Sequence, residues 1–283
     1  MRVVFLLIII FTSGIYPVFS QRKTKLNTNG QGALFGQLGI NRSFYSTANV
    51  EINSNNYNFT LENTSIKDNI QTKEESSLFS SESPQISIKL GYFIKPKWAL
   101  TLSFDRYNTF FEDNQNVRLN GTFAPGSHSI YTGSVDEEIL LTQDQFNIAQ
   151  SKGINYFAFG FQRNDMLVKT RKAKFALHAI YGAKLGALFT TVDFTYDDFT
   201  TQNLSSLSGF GASAEVGFRF EFFQHVYLQV GLNGGVLNQN KILLSDDESR
   251  TAKQTVGFIS PHFSLGFNVF ASSKNNCGTC PQW

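Results

Sequence analysis

The chain has 283 residues, 41% of them hydrophobic, 14% aromatic and 16% charged, with a formal net charge of +2. Charge is sparse beside the roughly 25% of an average soluble domain, and so small a net charge excludes a whole-chain electrostatic case for nucleic acid as a partner. The length suits one large β domain.

Residues 1–20 read as an export signal. Arg2 supplies the positive end, residues 3–11 (VVFLLIIIF) are an unbroken apolar run, and Val18-Phe19-Ser20 precedes the expected cleavage before Gln21. The run is far shorter than the ~20 apolar residues of a spanning helix. Residues 21–270 are then expected to form one domain, and residues 271–283 a periplasmic tail.

The first expected strand is 32–45 (GALFGQLGINRSFY), where Leu34, Leu38 and Ile40 alternate with Gln37, Gly39, Asn41 and Ser43. Residues 46–83 are rich in Asn, Ser, Lys and Glu and read as an exposed excursion, although 50–61 still alternates, a pattern that would continue the strands above the membrane. The second strand is 84–94, with Ile86, Ile88, Leu90, Tyr92 and Ile94 on one face and Ser87, Lys89 and Gly91 on the other. After the turn Lys95-Pro96-Lys97, Trp98, Leu100, Leu102 and Phe104 oppose Thr101, Ser103, Asp105 and Tyr107.

A second polar excursion is expected over 108–152. Strand character returns at 153–162 (GINYFAFGFQ) with Phe157, Phe159 and Phe161 on one face. A basic turn at 169–174 leads into 175–188, where Tyr181 and Leu185 oppose His178, Gly182, Lys184 and Gly186. A third loop is expected over 190–207.

The clearest alternation follows at 208–223: Phe210, Ala212, Ala214, Val216, Phe218, Phe220 and Phe222 against Gly211, Ser213, Glu215, Gly217, Arg219 and Glu221. Successive side chains of a strand point to opposite faces. One face is therefore apolar, and the other carries glycine and opposite charges, as in the interior of a small membrane barrel. Two further strands are expected at 226–236 and about 256–270, with Gln229 and His262 among the inward residues. Between them lies a loop holding Asp246, Asp247 and Glu248.

The pattern predicts an all-β fold: a closed antiparallel transmembrane β-barrel of about eight strands, with long extracellular loops and short periplasmic turns. The aromatic end of the last strand, Phe270, agrees with it. The runs INRSFYS (40–46), YNFTLENTSIKDN (57–69), IKLGYFIKPKWALTLSFDRY (88–107) and GINYF (153–157) also resemble a family of outer-membrane β-barrel proteins of Bacteroidota. The resemblance spans most of the mature chain and implies a barrel in the outer membrane but no activity. The chain departs from that family at Arg106, where relatives place His, and at Ala149-Gln150, where they place an acidic-His pair.

The candidate site is a lumen charge network of Lys89, Asp105, His178, Lys184, Glu215, Arg219, Glu221 and His262. A barrel of about eight strands has a bore just wide enough for side chains to fill. Charges there must be paired, which predicts a plug and not a pore. The alternatives are a narrow channel for small solutes and a lipid A-modifying enzyme, the latter suggested by His262-x-Ser264. Parity puts both residues in the lumen, away from lipid.

No catalytic, cofactor or metal site is expected, because His178 and His262 lack metal-ligand spacing. Cys277 and Cys280 lack the βαβ context of a redox motif and are expected to form a structural disulfide. The expected partners are outer-membrane lipid and lipopolysaccharide, with an envelope protein or glycan at the extracellular loops. The acids of those loops (Glu51, Glu62, Asp68, Glu74, Glu75, Asp113, Asp136, Glu137, Glu138, Asp193, Asp197, Asp198 and 246–248) are candidates for sharing divalent cations with lipopolysaccharide phosphates.

Overall fold

The computed structural model describes residues 31–68, 85–127, 130–142, 146–150, 152–171, 174–196 and 199–270. The expected signal peptide, the tail with Cys277 and Cys280, and the acids Glu74, Glu75, Asp197 and Asp198 lie outside the described residues. The strands in chain order are β1 (Ala33–Asn41), β2 (Phe44–Tyr45), β3 (Ala48–Ser54), β4 (Tyr57–Thr64), β5 (Ile66–Lys67), β6 (Ile86–Lys95), β7 (Trp98–Tyr107), β8 (Phe110–Phe111), β9 (Gln115–Phe123), β10 (Gly133–Leu141), β11 (Phe146–Ala149), β12 (Ile154–Lys169), β13 (Phe175–Tyr196), β14 (Phe199–Phe222), β15 (Val226–Leu243) and β16 (Arg250–Phe270).

Eight of them close into a ring, β1-β6-β7-β12-β13-β14-β15-β16, every pairing antiparallel, with β16 returning to β1 from Ala33↔Phe270 to Asn41↔His262. The short turns after β6, β12 and β14 lie at the same end as the start of β1 and the end of β16. One of them is tight: Phe223 and Gln224 both take positive φ (51° and 69°), and the His225 amide donates to the Phe222 carbonyl at 3.2 Å. Two successive left-handed residues match the right-handed twist of a hairpin.

The ring is sheathed in apolar side chains. On β12, outward residues Phe157, Phe159 and Phe161 are exposed. This stripe ends in polar pairs: above, Arg106 donates to Asn155 at 3.3 Å; below, Arg163 meets Asp165 at 2.7 Å and lies over the Trp98 ring. From Asn155 to Arg163 is about 27 Å of strand at ~3.4 Å per residue. At a tilt of ~40° it spans roughly 20 Å, close to the ~25 Å lipid-facing band of such barrels.

The long connections are not the solvated loops expected from composition. The described residues of 46–68 and 108–150 include strands β3, β4, β5, β8, β9, β10 and β11, and those of 190–207 belong to the continuing β13 and β14. Above His262, β16 exchanges β1 for β2 and then for β3, and the sheet goes on through β4, β9 and β10, while β11 pairs the top of β13. A second storey thus stands on the membrane ring. It is open between β10 and β11, which bond only to β9 and β13 among the described strands.

The change of solvent can be followed along β13 without any change of parity. In the ring, Leu185 faces outward at 61% exposure, while Gly182, Lys184 and Gly186 face the bore. Higher up, Val192, Phe194 and Tyr196 are buried inside and Asp193 and Thr195 face out. Apolar groups leave whichever side is water, so the strand turns inside out where lipid ends.

Candidate functional site

The bore is filled in layers. At the periplasmic floor Ala33, Phe35, Phe93, Ala99 and Tyr227 form an apolar cluster. Two of its rings lie over glycines paired directly with them: Phe35 over Gly91 and Tyr227 over Gly266, where an added Cβ would come within 2.1 Å of the ring. Only glycine leaves the ring room to lie flat on the sheet.

Above the floor is the ionic layer. Lys89 of β6 bonds to Glu215 of β14, and Lys184 of β13 to Asp105 of β7. Lys89 also donates to Gln162 at 3.3 Å, and Gln229 donates to the other Glu215 oxygen at 2.7 Å. His262 Nε2 stands 3.3 Å from Glu215 Oε1.

Among the described residues, Arg219 is held by an amide and not by a carboxylate. Its Nε and Nη2 donate to Gln229 Oε1 at 3.0 and 2.9 Å, and its guanidinium lies 3.8 Å from the Tyr227 ring centre and 4.7 Å from that of Phe35. Gln229 therefore links Arg219 to Glu215. Near the floor, Glu221 accepts from Asn268 at 3.2 Å and faces His178 Nε2 at 3.6 Å. The structure thus brings Lys89, Asp105, Lys184, Glu215, Arg219 and His262 into one layer and sets His178 and Glu221 beneath it. The two histidines serve different carboxylates.

Little space remains. The gaps beside Lys89, Lys184 and Glu215 hold about 10 Å³ each, room for roughly one water. A mixed aromatic and aliphatic layer of Tyr107, Tyr156, Leu188, Leu237 and Phe258 covers the ionic one. Above it, Gln239 Oε1 accepts from Gln150 and Gln254 at 3.1 and 2.6 Å, while Gln239 Nε2 donates to Thr190 at 2.8 Å. Gln150, one of the departures from the resembled family, is thus a buried part of this amide layer. Ser264 is buried in the lumen beside His262, and the pair does not reach lipid.

The outer storey has an apolar core. Val50, Ile52, Phe59, Leu61, Val117, Leu119, Val192 and Phe194 are buried within it. Beside that core lies a cavity of about 420 Å³, walled by Phe59, Phe123, Phe146 and Tyr196 and reaching the edge of β10. The alternation at 50–61 pointed to the first strands of this storey, but reading 108–152 by polar composition missed the rest of its core and the cavity. The signal was present: 48-50-52, 57-59-61 and 117-119 alternate with period two, apolar inside and polar outside, the reverse of the membrane strands.

Three of the outer acids meet neighbouring cations. Asp136 bonds Arg118 at 2.7 Å, Asp68 faces Arg42 at 3.3 Å and Glu248 bonds Lys241 at 2.7 Å. The Arg118 guanidinium holds the Asp136 carboxyl below the usual range, and Lys67 does the same for Glu112.

No family model and no curated protein matches the chain. Among solved structures it is similar to the outer membrane protein OprG of Pseudomonas aeruginosa, at 12% identity over 86% of this chain and 99% of that one, TM-score 0.41. It is similar also to the N-terminal β-barrel domain of OprF from the same organism (11%, 85% and 99%, TM-score 0.38). A third is Ail, the attachment invasion locus protein of Yersinia pestis (10%, 84% and 99%, TM-score 0.32). At that distance no activity transfers. The placement in a bacterial outer membrane stands on the closed ring and its apolar sheath, the architecture of outer-membrane barrels.

Proposed function

We propose that the protein is an outer-membrane barrel with a sealed lumen whose work is done by the storey standing outside the membrane: a structural and interaction protein, not a conduit. One observation carries the reading. β6 and β14 stand four places apart in either direction around the ring of eight, so the bond between Lys89 and Glu215 crosses the full width of the bore. Opening a passage would break it and leave two buried charges unpaired, at a cost of about 3–5 kcal/mol.

Loops and sheet edges outside a rigid scaffold are where binding residues concentrate. Lipopolysaccharide, a surface glycan or another envelope protein would meet this protein there. Purified protein in a planar bilayer is expected to give a flat current trace, and stable single-channel steps would sink the sealed-lumen reading. Cross-linking from intact outer membranes through the β9–β10 hairpin tests the interaction half.

A further inference from the structure

The cavity of the outer storey has the makings of a ligand site, on the reading that this storey is the working part of the protein. Its volume of about 420 Å³ falls within the roughly 300–1,000 Å³ of pockets for small organic molecules. Its walls are mostly apolar, aliphatic and aromatic together, and its rings are well fixed. Phe59 stacks on Phe123 and Tyr196 with ring centres 5.3 and 5.7 Å apart, and Phe146 stands edge-on to Phe59 at 5.9 Å. The rings are held by one another, so they need little rearrangement to receive an apolar body.

The polar part of the lining has one sign. Among the described residues around the cavity there are two glutamates, Glu137 and Glu138, and no lysine or arginine. On β10, Val135, Ile139 and Leu141 turn toward the core, and Glu137 shares their parity. It is a carboxylate on the inner face of a strand whose other inward residues are apolar. Tyr131 lies against it: burial first, then the Glu137 charge and hydrogen bond, raise the Tyr131 hydroxyl above its ordinary pKa.

Access is built in. Five successive residues of β10, 137–141, line the cavity. Consecutive residues of a strand alternate faces, so the cavity must open past the unpaired edge of β10 and not only along one side of it.

We propose that this cavity binds a small organic cation, an apolar or aromatic body carrying an ammonium head. The body takes the place of water against Phe59, Phe123 and Tyr196. The head sits at the mouth, where Glu137 supplies the counter-charge and the faces of nearby rings attract a cation. An anion of the same shape would meet two carboxylates.

The test uses the full protein in lipid nanodiscs, with ligand-observed NMR against empty nanodiscs. The probes are phenylbutylamine, phenylbutanol and phenylbutyrate, one body with three heads. The wild type is expected to bind all saturably or the first two alone, the amine about fivefold tighter than the alcohol and the carboxylate weakest. Glu137→Gln, at an exposed position on an edge strand, should abolish the preference for the amine and leave the alcohol unchanged. Ile139→Trp, which fills the cavity from the same face, should weaken every probe that binds by tenfold or more. Absence of saturable binding, a preference that survives in Glu137→Gln, or undiminished binding in Ile139→Trp would each overturn the proposal. None of these outcomes bears on conductance, so the sealed lumen and the cavity stand or fall separately.

Discussion

Lys184 reaches Asp105 across an intervening strand. β12 runs between β13 and β7, and the residue it places opposite Lys184 is Gly160, which also faces Thr101 of β7. A Cβ on Gly160 would come within 2.7 Å of the Lys184 Cβ and 2.3 Å of the Ala183 carbonyl oxygen. The lysine stem lies over a strand that at this point has no side chain, and only so does its ammonium meet the carboxylate.

Gly160→Val should therefore behave as an ionic mutation although it changes no charge. Overpacking alone costs about 1–3 kcal/mol, and displacing Lys184 adds the loss of the pair. Urea unfolding in lipid vesicles is expected to show a shift larger than overpacking accounts for. The extra loss should vanish when the valine is introduced into Lys184→Met.

Removing one partner of a sealed pair costs more than removing both. Asp105→Leu or Lys184→Met alone leaves a charge buried among apolar layers, worth about 3–5 kcal/mol. The double variant carries no such charge and should be more stable than either single one. A double-mutant cycle reads the difference, and additive losses would contradict the pairing.

The depth of the lipid can be read by charge insertion along one strand. Leu185→Arg places a guanidinium on the lipid face and should cost about 2–4 kcal/mol. Thr195→Arg faces outward on the same strand but above the lipid, where an exposed substitution is worth about ±0.5 kcal/mol. Heat-modified gel mobility after insertion into vesicles distinguishes the two; equal effects would place the lipid boundary wrongly.

The acidic turn after β15 gives a pH prediction. Asp247 Oδ1 accepts from the Ser245 and Ser249 hydroxyls at 2.6 and 2.8 Å and from the Ser249 amide at 3.1 Å. Those bonds favour the carboxylate and hold its pKa down to about 2, from an ordinary 3.8. A depressed folded-state pKa means the turn's contribution is fully present above pH ~3.8 and is lost as pH falls through ~2. NMR titration of Asp247 should give a midpoint near that lower value, and Ser249→Ala should move it up.

The membrane ring was legible in the sequence because lipid imposes a strict rule: outward residues such as Phe157, Leu185 and Phe218 are apolar whatever their neighbours do. The same parity placed all eight lumen residues on the inner face. It could not say who pairs with whom, since that depends on strand order around a ring. So Arg219, matched by charge balance to a carboxylate, proved to be held by Gln229 and two aromatic rings.

The outer storey was hidden for a different reason. Its outward residues meet water, so Asn, Ser, Thr and acids dominate the count. The alternation at 50–61, with Ile52 and Phe59 inward, already pointed to strands continuing above the membrane, and β3 and β4 bear it out. The inward residues of 108–152, such as Leu119, read as stray apolar residues in a loop.

That reversal along β13 has a consequence for the life of the chain before it reaches its place. Water alone would drive Leu185 and Tyr181 inward against the very lysines that must occupy the bore; hydrocarbon alone would turn Phe194 and Val192 outward. No uniform liquid satisfies both ends of one strand, so the native arrangement exists only across a boundary between two liquids. Until it meets that boundary, the polypeptide has to be kept from settling anywhere else.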